Sequence, residues 1–146
     1  MSNEKGLEDN KELVRRCVQE VWNGGREEVI GELIHPNFRR HHPRNSDFDT
    51  YGQDGCTAWV NRVRSALPDL HLAVEHLFAE GDRVVLHLLG TGTQRGPLYG
   101  VSASGTALRF TVTGVVRVAE GKIAEGWAIP DELGIRQQLG LVAPLG

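Results

Sequence analysis

Cysteine is scarce in this chain. Cys17 and Cys56 are the two among 146 residues, they form no CxxC pair, and each falls at an apolar position of a helical pattern, so each reads as a small buried hydrophobe. Metal-ligand spacing is missing too: there is no HExxH string and no His or Cys tract at zinc spacing, so no metal site is expected. Basic charge is not in excess, since 16 Lys and Arg stand against 19 Asp and Glu, and the two signs are interspersed. The strongest basic run, Arg39-Arg40-His41-His42, is too short to displace the counterions of a polyanion; it reads as a solvated rim, and nucleic acid is not an expected partner. No apolar stretch approaches the roughly 18 residues of a membrane span. The N-terminal MSNEKGLEDNKE is polar and lacks the apolar core of a signal peptide, so a soluble cytoplasmic protein with no membrane partner is expected. Neither GxGxxG nor a glycine loop followed by Lys-Ser or Lys-Thr occurs, which argues against a nucleotide site.

What is present divides into helices first and strands afterwards. Asp9 with Glu12 three residues on predicts a helix start, followed by Leu13, Val14, Cys17, Val18, Val21 and Trp22 at helical spacing and a stop at Gly24-Gly25. Val29, Ile30, Leu33 and Ile34 predict a second helix ending before Pro36, and Cys56 to Leu67 a third ending before Pro68. From Leu70 the chain turns to Val, Leu, Thr and Phe in strand-like runs: Leu70–Ala79, Arg83–Thr93, Leu108–Ala119 and Lys122–Ile129. Glu80-Gly81-Asp82 and Glu120-Gly121 read as hairpin turns, so those strand pairs are antiparallel. The stretch from Gln94 to Ala107, with Gly92 just before it and Gly96, Gly100 and Gly105 within, reads as a shaped loop over one end of the sheet. Glu132 to Leu145 is expected to form a short closing helix. The chain thus predicts one domain over residues 1–146, with residues 1–8 as a flexible lead. Its class is α+β: N-terminal helices packed on a curved, mainly antiparallel sheet, forming a cone with an internal pocket.

Several short strings follow one another along most of the chain in a family order. They are Trp22-Asn23-Gly24, His41-His42-Pro43, Gly52 to Gly55, Leu67-Pro68-Asp69-Leu70, Glu80 to Val85, GTGTQRG from Gly90 to Gly96, Ser104-Gly105, and EGKIAEGW followed by Asp131 and QQLG. In this order the sequence resembles the SnoaL-like polyketide cyclases, whose NTF2-like cone fold is also used by ketosteroid isomerase and scytalone dehydratase. The resemblance implies a cofactor-independent cyclase of a small apolar or aromatic polyketide-like substrate, with a pocket aspartate as acid/base. It places that aspartate at Asp131, four residues after Trp127. In strand geometry Trp127, Ile129 and Asp131 share a side, which would set an indole and an aliphatic chain beside the carboxylate in one space. A helix-cap role for Asp131 stands beside this, because it follows Pro130 and precedes Glu132-Leu133.

His87, mid-strand among aliphatics, and His41, two residues before Pro43, are the candidates to assist Asp131. Candidate substrate contacts are Trp127, Trp59, Tyr51, Tyr99, Phe110, Gln94 and Arg117, several of which also suit core packing or a surface ion pair. The chain departs from the aldol cyclases in having Gly92-Thr93-Gln94 where they commonly show GTH, and no counterpart of their pocket histidine lies between Phe110 and Val118. Three readings therefore stand: ring closure, aldol-like or through a C–O bond; cofactor-independent hydroxylation; and a non-catalytic ligand-binding or assembly module. A homodimer through the outer face of the sheet is expected, since a sheet curved around a pocket leaves that face partly apolar.

Overall fold

A computed structural model of the protein describes residues 2–144, so Leu145, expected in the last helix, lies outside the described residues. Helix α1 spans Ser2–Arg16 and continues without a break as a π-helical stretch, Cys17–Asn23. It starts ahead of Asp9, and the pairs Lys5–Asp9 and Glu8–Lys11 bridge successive turns on its exposed side. The helix stops at the twin glycines: Gly24 donates its N–H to the Gln19 carbonyl, and Gly25 adopts φ 64°, a left-handed conformation that suits glycine. Arg64 donates to the carbonyls of Trp22 and Asn23, which the helix end leaves without partners of their own. The wide π turn also sets its last two side chains. Trp22 meets Trp59 edge to face at 4.7 Å, and Asn23 hydrogen-bonds both the N–H and the carbonyl of Leu72.

The second helix is shorter than its apolar spacing predicts. A 3-10 turn, Glu27–Val29, leads into α2, Ile30–Leu33, and Ile34 already opens strand β1, Ile34–His41. Pro36, which reads as a helix stop, sits inside this strand, where the pairing register shifts between Ile34 and Arg39 and a missing ladder N–H is tolerated. A 3-10 turn at Ser46–Phe48, the short strand β2 (Thr50–Tyr51) and helix α3 (Gly52–Ala66) follow. The strand half matches its expectation closely, with β3 at His71–Glu80, β4 at Arg83–Thr93, β5 at Ala107–Ala119 and β6 at Lys122–Pro130. Helix α4, Glu132–Gln138, closes the described chain, its end marked by Gly140 at φ 80°.

The six strands form one sheet in the order β2-β1-β6-β5-β4-β3. All neighbours run antiparallel except β1 and β6, which are parallel, so the class is α+β with a mixed, mainly antiparallel sheet. Extra residues at Glu75 of β3, between Val74 and His76, and at Ala124 of β6, opposite Arg117 and Val118, shift the register and bend it. Glycine on the inner side lets the strands close up: a Cβ on Gly114 would lie 2.5 Å from the Trp127 carbonyl oxygen. Alternation then sorts the side chains into two faces. Val84, Leu86, Leu88, Leu108 and Phe110 point inward, into one buried cluster that extends from Val14 of α1 to Ile135 of α4. The outer face carries the row Phe78, Val85, Val115, Trp127, His41 and, beside it, the row Glu80, Arg83, Arg117, Glu125, Arg39.

Candidate functional site

The two faces separate the candidate residues. Trp127 and Ile129 do share a side of β6, but it is the outer one, with Glu125; the inner side of that strand carries Gly126, whose added Cβ would face Val116 and Phe38. Asp131 does not continue their alternation, because β6 ends at Pro130 and the backbone turns into α4. His41 also faces outward. Its ring stacks on Trp127, and its Nε2 lies 2.6 Å from Glu125 Oε2. Arg117 donates to the other oxygen of Glu125 at 2.9 Å, and Arg83 lies over the Trp127 ring at 5.3 Å. Burial alone would raise the Glu125 carboxyl, but the bonds from Arg117 and His41 outweigh it and hold the group below the usual carboxylate range. His87 stands on the same face, bonded to the Thr113 hydroxyl and opposite His76. The outer face thus gathers His41, His87, Trp127 and Arg117 away from the enclosed side of the sheet.

Two further candidates are tied into the framework. Phe110 is buried on the inner face, where its ring covers Gly90 on the neighbouring strand. Gln94 is fully buried, and its amide nitrogen donates to the carbonyls of Gly96, Val101 and Ser102 while its oxygen accepts from the Ser104 hydroxyl. It binds the 94–104 loop to itself. Tyr51 is exposed at the sheet edge, 5.6 Å beneath the Arg39 guanidinium.

The remaining candidates lie near residues that the sequence reading did not single out. Arg40 pairs with Gly126 across the parallel ladder, so it points inward between the outward-facing Arg39 and His41. Its guanidinium stacks 4.3 Å over Trp59 and donates to the Thr50 hydroxyl and the Phe48 carbonyl. Burial, then the nearby Arg62, lower its pKa from the ordinary arginine value, yet arginine remains charged. His42 comes next on the chain. Its Nδ1 accepts from the N–H groups of Arg44 and Asn45, so the ring proton sits on Nε2. Burial, with Arg40 and Arg44 close by, pushes its pKa below the ordinary histidine value and keeps the ring neutral at neutral pH. Arg44 pairs with Glu132, which also holds Arg136, and Arg136 stacks 4.4 Å over the Tyr99 ring.

Asp49 is the joint of this region. Its carboxylate accepts from the His42 N–H at 2.7 Å and from Arg39, and so ties the end of β1 to the segment entering β2. Tyr99 is held by a turn in which Leu98 and Val101 exchange backbone bonds while Tyr99 and Gly100 both take positive φ, as a type I′ turn requires. Burial raises its phenol pKa, so the hydroxyl stays protonated. Asp131 stands at the N-terminus of α4, with its Oδ1 accepting from Gly134 N–H. Its neighbour Glu132 belongs to the Arg44–Arg136 group, so Asp131 stands at the same end of the cone as His42 and Tyr99. Alternation along β1 was the signal for Arg40: in Arg39-Arg40-His41 the middle residue must face opposite its neighbours.

Chemically, this end of the cone offers a carboxylate, a neutral imidazole, a phenol and an aromatic wall. Arg44 and Arg136 share the Glu132 carboxylate, and Arg40 stands over Trp59 outside that group. The sequence profile of the SnoaL-like polyketide cyclases matches residues 12–139, from α1 into the turn after α4. Among curated proteins, the chain is 30% identical over 135 residues to the aklanonic acid methyl ester cyclase DnrD of Streptomyces peucetius, covering 88% of this chain and 89% of that one. It is 29% identical to the enzyme of the same name, DauD, from Streptomyces sp. (strain C5), covering 88% of this chain and 80% of that one. The solved structure of TsrD from Streptomyces laurentii superposes with a TM-score of 0.81 at 28% identity, covering 92% of this chain and 96% of that one. The profile match takes in both the helices and every strand of the sheet, and on that extent the chain belongs to the SnoaL-like polyketide cyclase family.

Proposed function

We propose that the protein closes a ring within a small polyketide-type substrate at the Asp131 end of the cone, with Asp131 as the general acid/base. In an aldol-type closure, the Asp131 carboxylate removes a proton from the carbon between two carbonyl groups. The C–H electron pair becomes an enolate and attacks a third carbonyl of the same molecule. The alkoxide that results takes back a proton, so product and substrate are isomers and no co-reactant is consumed. Holding the two ends of one chain together supplies part of the rate by proximity, up to roughly 7 to 11 kcal/mol in favourable cases. The neutral His42 Nε2–H and the protonated Tyr99 phenol are the donors placed to assist, in the stead of the outward-facing His41 and His87.

The observation that carries this reading is the position of Asp131. The resemblance assigns the acid/base role to this residue, which stands at a strand-to-helix junction beside the Arg44–Glu132–Arg136 group, with one carboxylate oxygen used by the cap and Oδ2 without a hydrogen bond among the described residues. The test is incubation with aklanonic acid methyl ester, the compound named for the two curated relatives. A ring-closed product of unchanged mass, formed in air and under nitrogen alike and absent with Asp131→Asn, supports the reading. A product that gains an oxygen atom from labelled O2 would replace it with hydroxylation. Tight ligand binding without turnover would leave a binding module.

We also infer that a second copy of the chain covers the outer face. Phe78 and Ile129 are 65% and 64% exposed there. The adjoining row from Glu80 to Arg39 carries both signs of charge, so it suits a self-complementary twofold contact.

A further inference from the structure

Arg40 is a cation on the enclosed side of the sheet with no acidic partner within ion-pair distance among the described residues. Its neighbours differ: Arg39 is paired with Asp49, and both Arg44 and Arg136 with Glu132. Taking a charge out of water without a directly paired counter-charge is costly; burial and Arg62 nearby outweigh the more distant Asp49. Yet the guanidinium is firmly placed. Trp59 supports its plane at 4.3 Å, Trp22 in turn braces Trp59 edge-on, Nε donates to Thr50 Oγ1 and Nη2 to the Phe48 carbonyl. A guanidinium has five N–H donors; these two bonds use two of them and leave three directed elsewhere. Asp49 favours the charged guanidinium from beyond ion-pair distance, but its oxygens accept from Arg39 and the His42 N–H and none bonds Arg40.

We propose that Arg40 binds an anionic oxygen of the substrate, so that the protein selects compounds carrying an enolate or a carboxylate next to an aromatic ring system. This rests on the ring-closure reading for its meaning but not for its test. The planar fork matches two oxygens side by side, as in a carboxylate or the enolate of a 1,3-dicarbonyl compound, and Trp59 provides an apolar wall beside them. In the ring closure, the charge that leaves carbon when Asp131 takes its proton would settle on an oxygen held there. The bond electrons then return to carbon as the new C–C bond forms, and Arg40 neither gains nor loses a proton.

The test is binding at equilibrium, read by calorimetry with three probes: anthraquinone-2-carboxylate, its methyl ester, and 2-acetylindane-1,3-dione, which is an enolate at neutral pH. The expected result is that at least one anion binds the unaltered protein tenfold or more tighter than the ester, with an advantage that shrinks as salt rises. Arg40→Gln should erase that advantage and leave ester binding unchanged. Whether the carboxylate or the enolate binds tighter identifies the source of the charge. If Arg40→Gln does not fold, Arg40→Lys, which keeps the charge but not the fork, must weaken the preferred anion at least threefold without affecting the ester. The proposal is overturned if neither anion outbinds the ester, or if the preference survives in both variants. Anion preference lost with Arg40 but no ring closure with any substrate would sink the cyclase reading alone; ring closure untouched by Arg40→Gln with no anion preference would sink this one alone.

Discussion

The imidazole of His41 lies flat on the indole of Trp127, with ring centroids 4.7 Å apart and planes 2° from parallel. Together with the 2.6 Å contact to Glu125, this makes His41 part of an outer-face network. His41→Ala is therefore expected to lower stability by about 1 kcal/mol, the usual worth of such a contact, and to leave the rate of ring closure within about twofold, a negligible change in barrier. Urea unfolding and single-substrate kinetics on the same preparation check both halves. A large loss of turnover at unchanged stability would bring His41 back into the chemistry.

The observed cap at Asp131 and its proposed acid/base role are separable by substitution. Asparagine is as good a helix N-cap as aspartate, whereas alanine costs about 1 kcal/mol at such a position. Asp131→Asn is thus expected to unfold at nearly the same urea concentration as the unaltered chain while losing turnover. Asp131→Ala loses turnover and some stability as well. If Asn and unaltered protein turn over equally, the carboxylate serves only as a cap.

Acid should loosen the joint at Asp49. The His42 N–H, then the Arg39 guanidinium, hold its carboxyl below the usual range, and the side chain is 1% exposed. A group whose folded pKa is depressed stabilises the fold fully above its unfolded pKa, about 4, and that contribution is lost as pH falls through the lower folded value. Unfolding midpoints measured from neutral pH downward should fall in this window, and Asp49→Asn should flatten that part of the profile. An unchanged profile would show that other carboxylates carry the acid sensitivity.

Both thiols should be silent. Burial pushes Cys17 up to about 12 and Cys56 up to about 11, and both residues are buried. Since the thiolate is the reactive form, iodoacetamide at neutral pH is expected to modify neither cysteine in the folded protein and both in strong denaturant. Rapid labelling of Cys56 alone would mean that α3 lifts away from Arg40.

Placing a charge on the exposed aromatic at the β3 edge of the outer face tests the inferred pairing of copies. Phe78→Glu should leave the fold intact and convert a dimer into a monomer by light scattering. A monomeric unaltered chain would remove that inference.

Local signals made most of the strand half legible. Runs of β-branched residues bounded by Glu-Gly turns need only their own few neighbours to be read, so β4 was placed at Arg83–Thr93 from sequence alone. Strand β1 was not, because its ladder partner β6 lies some ninety residues downstream, around Gly126 for Arg40, and Pro36 imitates a helix stop. The site suffered from a different gap. Period-two alternation says which residues share a side, as Trp127 and Ile129 do, but not which side is enclosed. That depends on the helices, and α3 sets it by bringing Trp59 under Arg40. The string Arg39-Arg40-His41-His42 therefore read as one basic rim, although folding sends its members to different places.

Asn23 has a consequence for how the molecule lives in a crowded solution. A sheet that does not close on itself has two borders, and a border with free backbone groups is a template for the next chain to add a strand. On one border, β2 is only two residues long, too short to offer much of a template. On the other, the carboxamide of Asn23 accepts from the Leu72 N–H and donates to the Leu72 carbonyl, the same pair of bonds a strand residue would make. A single side chain at the end of a helix thus takes up the first rung that a growing fibril would need on β3.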